Sequence, residues 1–207
     1  MNEQVAEELY ELSKKEYRDF VDVLVDITEK TSCNSRQLYI LIRLNYFSLF
    51  GKRDYLEKIY TLFCSKYKKT YIEKTKIKRL EMIREEIKKY ENKDFAMDKI
   101  LQYENEYYGY LQYQNNNVKD DIYFISDIDG NYTNKNIKLY RIKDGESLNC
   151  KIKKQMLEET EIKIGSIVKV LEIIERPKNI MQDGKWTQDY SIMYKHITNI
   201  KKINLKD

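Results

Sequence analysis

The chain has 207 residues, enough for one large domain or two small ones. Charged residues make up 35% of it, yet the formal net charge is only +4, so the protein is not strongly basic, although a local basic face stays open. Three widely spaced cysteines and a single histidine argue against a disulfide framework and a structural zinc site. No run reaches membrane-spanning length, and the acidic opening lacks an apolar signal core. A reducing, cytoplasmic setting without cofactor is the default expectation. Tyrosine is abundant, with 19 copies beside 6 Phe and 1 Trp. Most of these fit a core and rim in which Tyr replaces Phe; the other use of such rings is base stacking.

Residues Asn2 to about Lys93 read as successive helices, and no proline interrupts them. Val5, Leu9 and Leu12 open the series. A second helix is expected from about Glu16 to Thr28, with Phe20, Val21, Leu24 and Ile27 on one face. Asn34 is a good N-cap for a third helix carrying Leu38, Leu41 and Ile42. That stripe breaks at Asn45, a residue that tolerates the left-handed conformation of a corner. Tyr46, Phe47, Leu49 and Phe50 pack the corner, and Gly51 ends it. Tyr55, Leu56, Ile59, Tyr60 and Phe63 then mark the next helix.

Between Lys66 and Arg79 the chain carries Lys66, Lys68, Lys69, Lys74, Lys76, Lys78 and Arg79 against only Glu73. The run is either a solvated helix face or a phosphate-contacting one. It leads into a helix with Ile77, Leu80, Ile83, Ile87 and Tyr90, and a further helix is expected over Asp94 to Tyr103. Next comes Glu104-Asn105-Glu106-Tyr107-Tyr108-Gly109-Tyr110-Leu111.

From about Tyr107 the pattern changes to short β-type runs. Candidate strands are Tyr107–Gln114, Ile122–Ser126, Ile137–Ile142, Leu148–Lys153, Ile167–Ile174 and Tyr190–Ile197. Asp129-Gly130-Asn131 and Asp144-Gly145 are hairpin signals, and Met156 and Leu157 mark a short helix. The stretch with Pro177, Gly184 and Trp186 reads as a long hairpin loop. Such a set of strands with one helix suits a small closed barrel such as an OB-fold.

Local motifs for catalysis are weak. Asp127 and Asp129 lack the continuing ligand series of a calcium loop, so the turn is the better reading. His196 has no nucleophile or orienting partner in its run and reads as structural. No phosphate-binding glycine loop is present.

Three segments, in order, resemble the C-terminal part of bacterial DNA polymerase III alpha subunits. The first is Tyr17, Phe20, Val21 and Leu24, in the place of that family's Phe-rich helix. The second is Asn34, Arg36, Leu41-Ile42, Asn45-Tyr46-Phe47 and Leu49-Phe50-Gly51, similar to its helix-hairpin-helix; Asn45 stands where the family often has Gly and Ser48 where it often has Asp. The third is Glu104 to Leu111, which looks like the Glu-x-Glu-x-x-Gly-Phe/Tyr segment before its OB-fold. The resemblance runs from about Glu7 onward. It implies an α+β protein with a helical helix-hairpin-helix-like domain over 1–93, a connecting helix over 94–106 and an OB-like β-barrel over 107–207.

The family's palm carboxylates, fingers and phosphoesterase-like domain lie upstream of the matching region. The resemblance therefore implies a non-catalytic tail that binds single-stranded or primer-template DNA beside replisome proteins, away from any membrane. The expected contacts are Asn34, Arg36, Asn45, Lys52 and Arg53 at the hairpin, with Lys66, Lys68 and Lys69 from the basic run. On the barrel, Tyr110, Tyr113, Phe124, Tyr140, Arg141, Lys151 and Lys153 would alternate platforms with cations, and Trp186 would stack from a loop. The small net charge and the altered corner motivate an alternative: a stand-alone module, of phage type, that uses this scaffold to bind or inhibit a replication or defence protein. A nuclease is the least supported class.

Overall fold

The computed structural model describes residues 3–130 and 133–203. It is α+β, and the chain divides into two units, Met1–Phe95 and Ala96–Asp207. The first is helical: α1 (Glu3–Ser13), α2 (Phe20–Lys30), α3 (Ser35–Arg43), α4 (Arg53–Lys66) and α5 (Glu73–Ile87). Its centre is α2, whose Phe20, Val21, Leu24 and Ile27 are all buried. Leu38 and Ile42 of α3, Leu56, Ile59 and Phe63 of α4 and Ile83 of α5 complete that core. Asp19 caps α2 by accepting the Asp22 amide at 3.0 Å, and Arg84 of α5 donates to the same carboxylate at 2.7 Å. One carboxylate thus starts one helix and fastens another to it.

The stretch from α3 to α4 has the expected cap, corner and glycine stop, but only Phe47 and Phe50 pack the corner; Tyr46 and Leu49, expected there too, are exposed. Asn34 and Gln37 form a reciprocal capping box, each side chain accepting the other's backbone amide at 3.0 and 2.9 Å. Asn45 adopts φ 67° at the corner, and Phe47 and Phe50 tilt onto Phe20 at 5.2 and 5.9 Å. Gly51 sits at φ 152°, where a Cβ would meet the Tyr55 ring at 2.7 Å. Arg43 and Glu57, 2.7 Å apart, join α3 to α4.

The second unit begins with α6 (Met97–Tyr107), followed by β1 (Ile122–Asp129), β2 (Asn134–Arg141), β3 (Ser147–Lys153), α7 (Lys154–Glu159), β4 (Ile167–Gln182) and β5 (Lys185–Lys202). The strands close on themselves in the order β1-β2-β3-β5-β4. All pairings are antiparallel except β3 with β5, which meet in parallel at Lys151 and His196. Ile125, Ile137, Leu139, Cys150, Ile152, Val168 and Ile197 fill the interior, and Leu157 of α7 packs into one end.

Three expectations are corrected. Tyr107–Gln114 is not a strand. Gly109, at φ 74°, ends α6, and the Glu104 carboxylate then takes the amides of Gln112 and Tyr113 at 2.8 and 2.9 Å, so these donors serve no ladder. The helix expected over Asp94 to Tyr103 is α6, displaced toward the C-terminus. The stretch around Pro177 and Trp186, expected as a long loop, is a two-stranded ribbon with a register break at Pro177/Lys178, turned by Asp183 and Gly184 at φ 51° and 75°. Asn131 of the Asp129-Gly130-Asn131 turn lies outside the described residues.

Candidate nucleic-acid interface

Outward-facing side chains of β2, β3, β4 and β5 form a polar stripe. Cys150 and Ile152 point into the barrel, so Asn149, Lys151 and Lys153 point out. On β5, Ile197 points in, and Tyr194 and His196 point out. Arg176 of β4 pairs in register with Tyr194, and Lys151 of β3 with His196. The Lys151 ammonium lies over the Tyr194 ring, 3.7 Å from its centroid, a contact that holds ring and charge together. Beside them a groove of about 320 Å³ is lined by Asp127, Asp129, Lys138, Asn149, Lys151 and Tyr194.

The stripe is electrostatically biased. Partial burial pushes the His196 imidazole below its usual range, and the charges of Arg176 and Lys151 push it further in the same direction. The neutral imidazole is thus favoured, and it lies beside two cations, Arg176 and Lys151. Among the described residues, Lys138, Lys151, Lys153 and Arg176 have no carboxylate within salt-bridge distance. Asp127 and Asp129 on the groove wall offset part of their field without pairing with them, and the remaining positive charge is left for an anionic ligand.

Other predicted residues are placed differently. Phe124 is fully buried and Tyr140 nearly so, with the Tyr140 hydroxyl donating to the Tyr113 carbonyl at 2.9 Å. Both belong to a second apolar cluster with Leu101 of α6, which Leu111, Tyr113 and Val118 pack against; neither ring can receive a base. Arg141 is held by Asp144 and Glu146. Arg53 is largely buried against Asp94 at 3.4 Å. These four are corrections: two rings are core, and two cations are already neutralised.

Tyr110 is exposed and stacks on Tyr108 at 5.2 Å, while Tyr113 is half-buried. Trp186 is 70% exposed at the ribbon tip, opposite Met181. In the helical unit, Asn34, Arg36, Asn45 and Lys52 lie on the surface. The Asn34 side chain is committed to its cap, and the Lys52 amide donates to Asn92 at 2.9 Å. Lys69 donates to the Glu29 carbonyl at 3.0 Å and Lys76 pairs with the Glu29 carboxylate, whereas Lys66 and Lys68 have no salt-bridge partner among the described residues. Burial raises the Tyr67 hydroxyl, and its hydrogen bond to Glu29 adds to that.

Sequence reasoning missed Lys138, Arg176, Tyr194 and His196 as members of one surface. The alternation of Tyr194, His196 and Thr198 against the inward Ile197 was the signal that could have found part of it. Among the described residues, no group of three or more His, Cys, Asp or Glu side chains could hold a metal ion. No described helix is long and apolar enough to cross a membrane. Comparison with protein-family models, curated proteins and solved structures finds no match to this chain.

Proposed function

We propose that this chain is a non-catalytic DNA-binding protein related to the tail of a replicative polymerase alpha subunit, with a helix-hairpin-helix unit followed by an OB-type barrel. The observation that carries the reading is the outward stripe of Arg176, Tyr194, Lys151 and His196 on a sheet closed as β1-β2-β3-β5-β4, with α7 between β3 and β4. OB barrels bind oligonucleotides across the β2–β3 face and the β4–β5 hairpin, where Lys138, Lys151 and Trp186 lie. A single strand would lay its phosphates along Lys138, Lys151, Lys153 and Arg176 and stack bases on Tyr194 and Trp186. Neither contact reads a base edge, so binding is sequence-tolerant. The unpaired Lys66 and Lys68 would add phosphate contacts from the helical unit. Such a tail would hold template close to a polymerase.

The test is anisotropy with labelled oligothymidylate, duplex and primer-template DNA across a salt series. The four barrel cations alone predict a log-log salt slope of about −3 on single strands, and contacts from Lys66 and Lys68 steepen it to about −4. Salt-independent binding, or none at low salt, would refute the reading.

A second reading, a protein-binding module, is favoured by the hairpin corner, where Leu49 is 95% exposed and Tyr46 also faces solvent. A partner that co-purifies after nuclease treatment and is lost in a Leu49→Asp variant would support it.

A further inference from the structure

A groove of about 800 Å³ lies beside α7, between the start of β2, the α7–β4 connection and the end of β5. It shares no lining residue with the outer-face groove. Its apolar wall is aliphatic: Ile128, Leu157, Ile162 and Ile164. Leu157 and Ile162 are also core residues, whereas Ile164 is 48% exposed.

That exposure is fixed by the backbone. Glu161, at φ 52°, ends the helical turn, and the Ile162 amide returns to the Leu157 carbonyl at 3.0 Å. The Lys163 amide donates to Ser166 Oγ at 3.0 Å, and the Gly165 amide to the Ile125 carbonyl at 2.9 Å. Ile164 is therefore presented by a bonded turn, which lowers the entropy cost of using it in binding.

Four ammonium groups surround this wall: Lys135, Lys154, Lys163 and Lys202. Lys135 donates to the Gly130 carbonyl and Lys202 to the Glu161 carbonyl at 3.1 Å, so both are positioned while keeping their charge. Only Lys154 has a salt-bridge partner among the described residues, Glu158 at 3.5 Å.

We propose that this groove docks an acidic peptide segment carrying branched aliphatic or aromatic side chains, a site separate from the nucleic-acid interface. Charge complementarity selects the acidic flank, and the wall selects apolar anchors. Nucleic acid fits less well, because no aromatic ring lines the groove to stack on a base, whereas its aliphatic wall suits apolar side chains. A second copy fits poorly as well, since it would bring a chain of net charge +4 to a positive rim.

The test is anisotropy of the full chain with a fluorescein-labelled peptide in which a run of aspartates is followed by leucine and phenylalanine. Two control peptides replace the aspartates by asparagine or the apolar pair by alanine. Saturable binding of the first peptide alone is expected, weakened about tenfold by Lys163→Glu or Ile164→Asp and unchanged by Lys151→Glu. Both substitutions at the groove are on exposed side chains, and circular dichroism checks that each variant is folded. Equal binding of the alanine peptide, insensitivity to both groove variants, or displacement of the peptide by oligothymidylate would overturn the proposal. So would a dimer in sedimentation equilibrium that Ile164→Asp dissolves. Failure of DNA binding alone would leave this site standing.

Discussion

Glu104 is the one buried carboxylate among the described residues, and its two backbone bonds explain why it is tolerated there. Removing it leaves the amides of Gln112 and Tyr113 without their acceptor, at about 1–3 kcal/mol each. Glu104→Ala should therefore destabilise the second unit by about 2–6 kcal/mol in urea unfolding, and Glu104→Gln, which keeps one acceptor oxygen, by less. Asp19 gives a pH signature in the first unit. Burial raises its carboxyl, but hydrogen bonds from Arg84 and the Asp22 amide, with the charges of Arg84 and Arg18, outweigh this and hold it below its usual value. Its folded pKa lies below the unfolded one, so its contribution is complete above about pH 4 and is lost as pH falls through the folded value. Asp19→Asn keeps an acceptor for the cap and should make the acid-induced loss of helical signal shallower; an unchanged profile would contradict this. His196 works in the opposite direction on binding. A phosphate beside it favours the imidazolium, so DNA affinity should rise from pH 7 to pH 5.5, and His196→Gln should flatten that rise.

The helical elements were legible in the sequence because each buries one face against a single core. Leu38, Leu41 and Ile42 gave α3 its period, Asn34 its start, and Asn45 its end, while the Gln37 half of the capping box went unread. Asn34→Ala should cost about 1 kcal/mol, and Asn45→Val should cost about 1–2 kcal/mol through its positive φ; thermal unfolding would check both. The strands were less legible wherever burial departs from one covered face. Ile122 to Ile125 are all buried, because α6 and the segment after it cover the outer side of β1. Phe124 and Tyr140 sit on the outer side of the sheet, as a binding platform requires, but that part of it is already occupied. The ribbon of β4 and β5 failed for the opposite reason: with both faces largely exposed it has no apolar alternation to read. Its Asp183-Gly184 turn was the available signal. Neither the Arg141 nor the Arg53 ion pairs could be read from spacing to a distant or adjacent acid alone.

At the scale of the molecule, a net charge of +4 conceals an uneven distribution. Asp19, Glu29 and Glu57 fasten helices to one another, while Lys138, Lys151, Lys153 and Arg176 have no salt-bridge partner among the described residues on one side of the barrel. The candidate site was therefore only partly visible beforehand: Lys151, Lys153 and Trp186 were foreseen, but the Tyr194 ring under Lys151 required β3 and β5 to meet in parallel. The account rests on that surface binding a single strand, and a variant comparison tests it most directly. Oligothymidylate affinity at fixed low salt should fall about tenfold in Tyr194→Ala, from the loss of one stacking platform. Lys151→Glu should weaken binding at least as much and reduce the salt slope, while Arg141→Gln, whose parent side chain is already paired with acids, should bind as the wild type does. Equal affinity of the wild type and both stripe variants, or a loss confined to Arg141→Gln, would contradict the account.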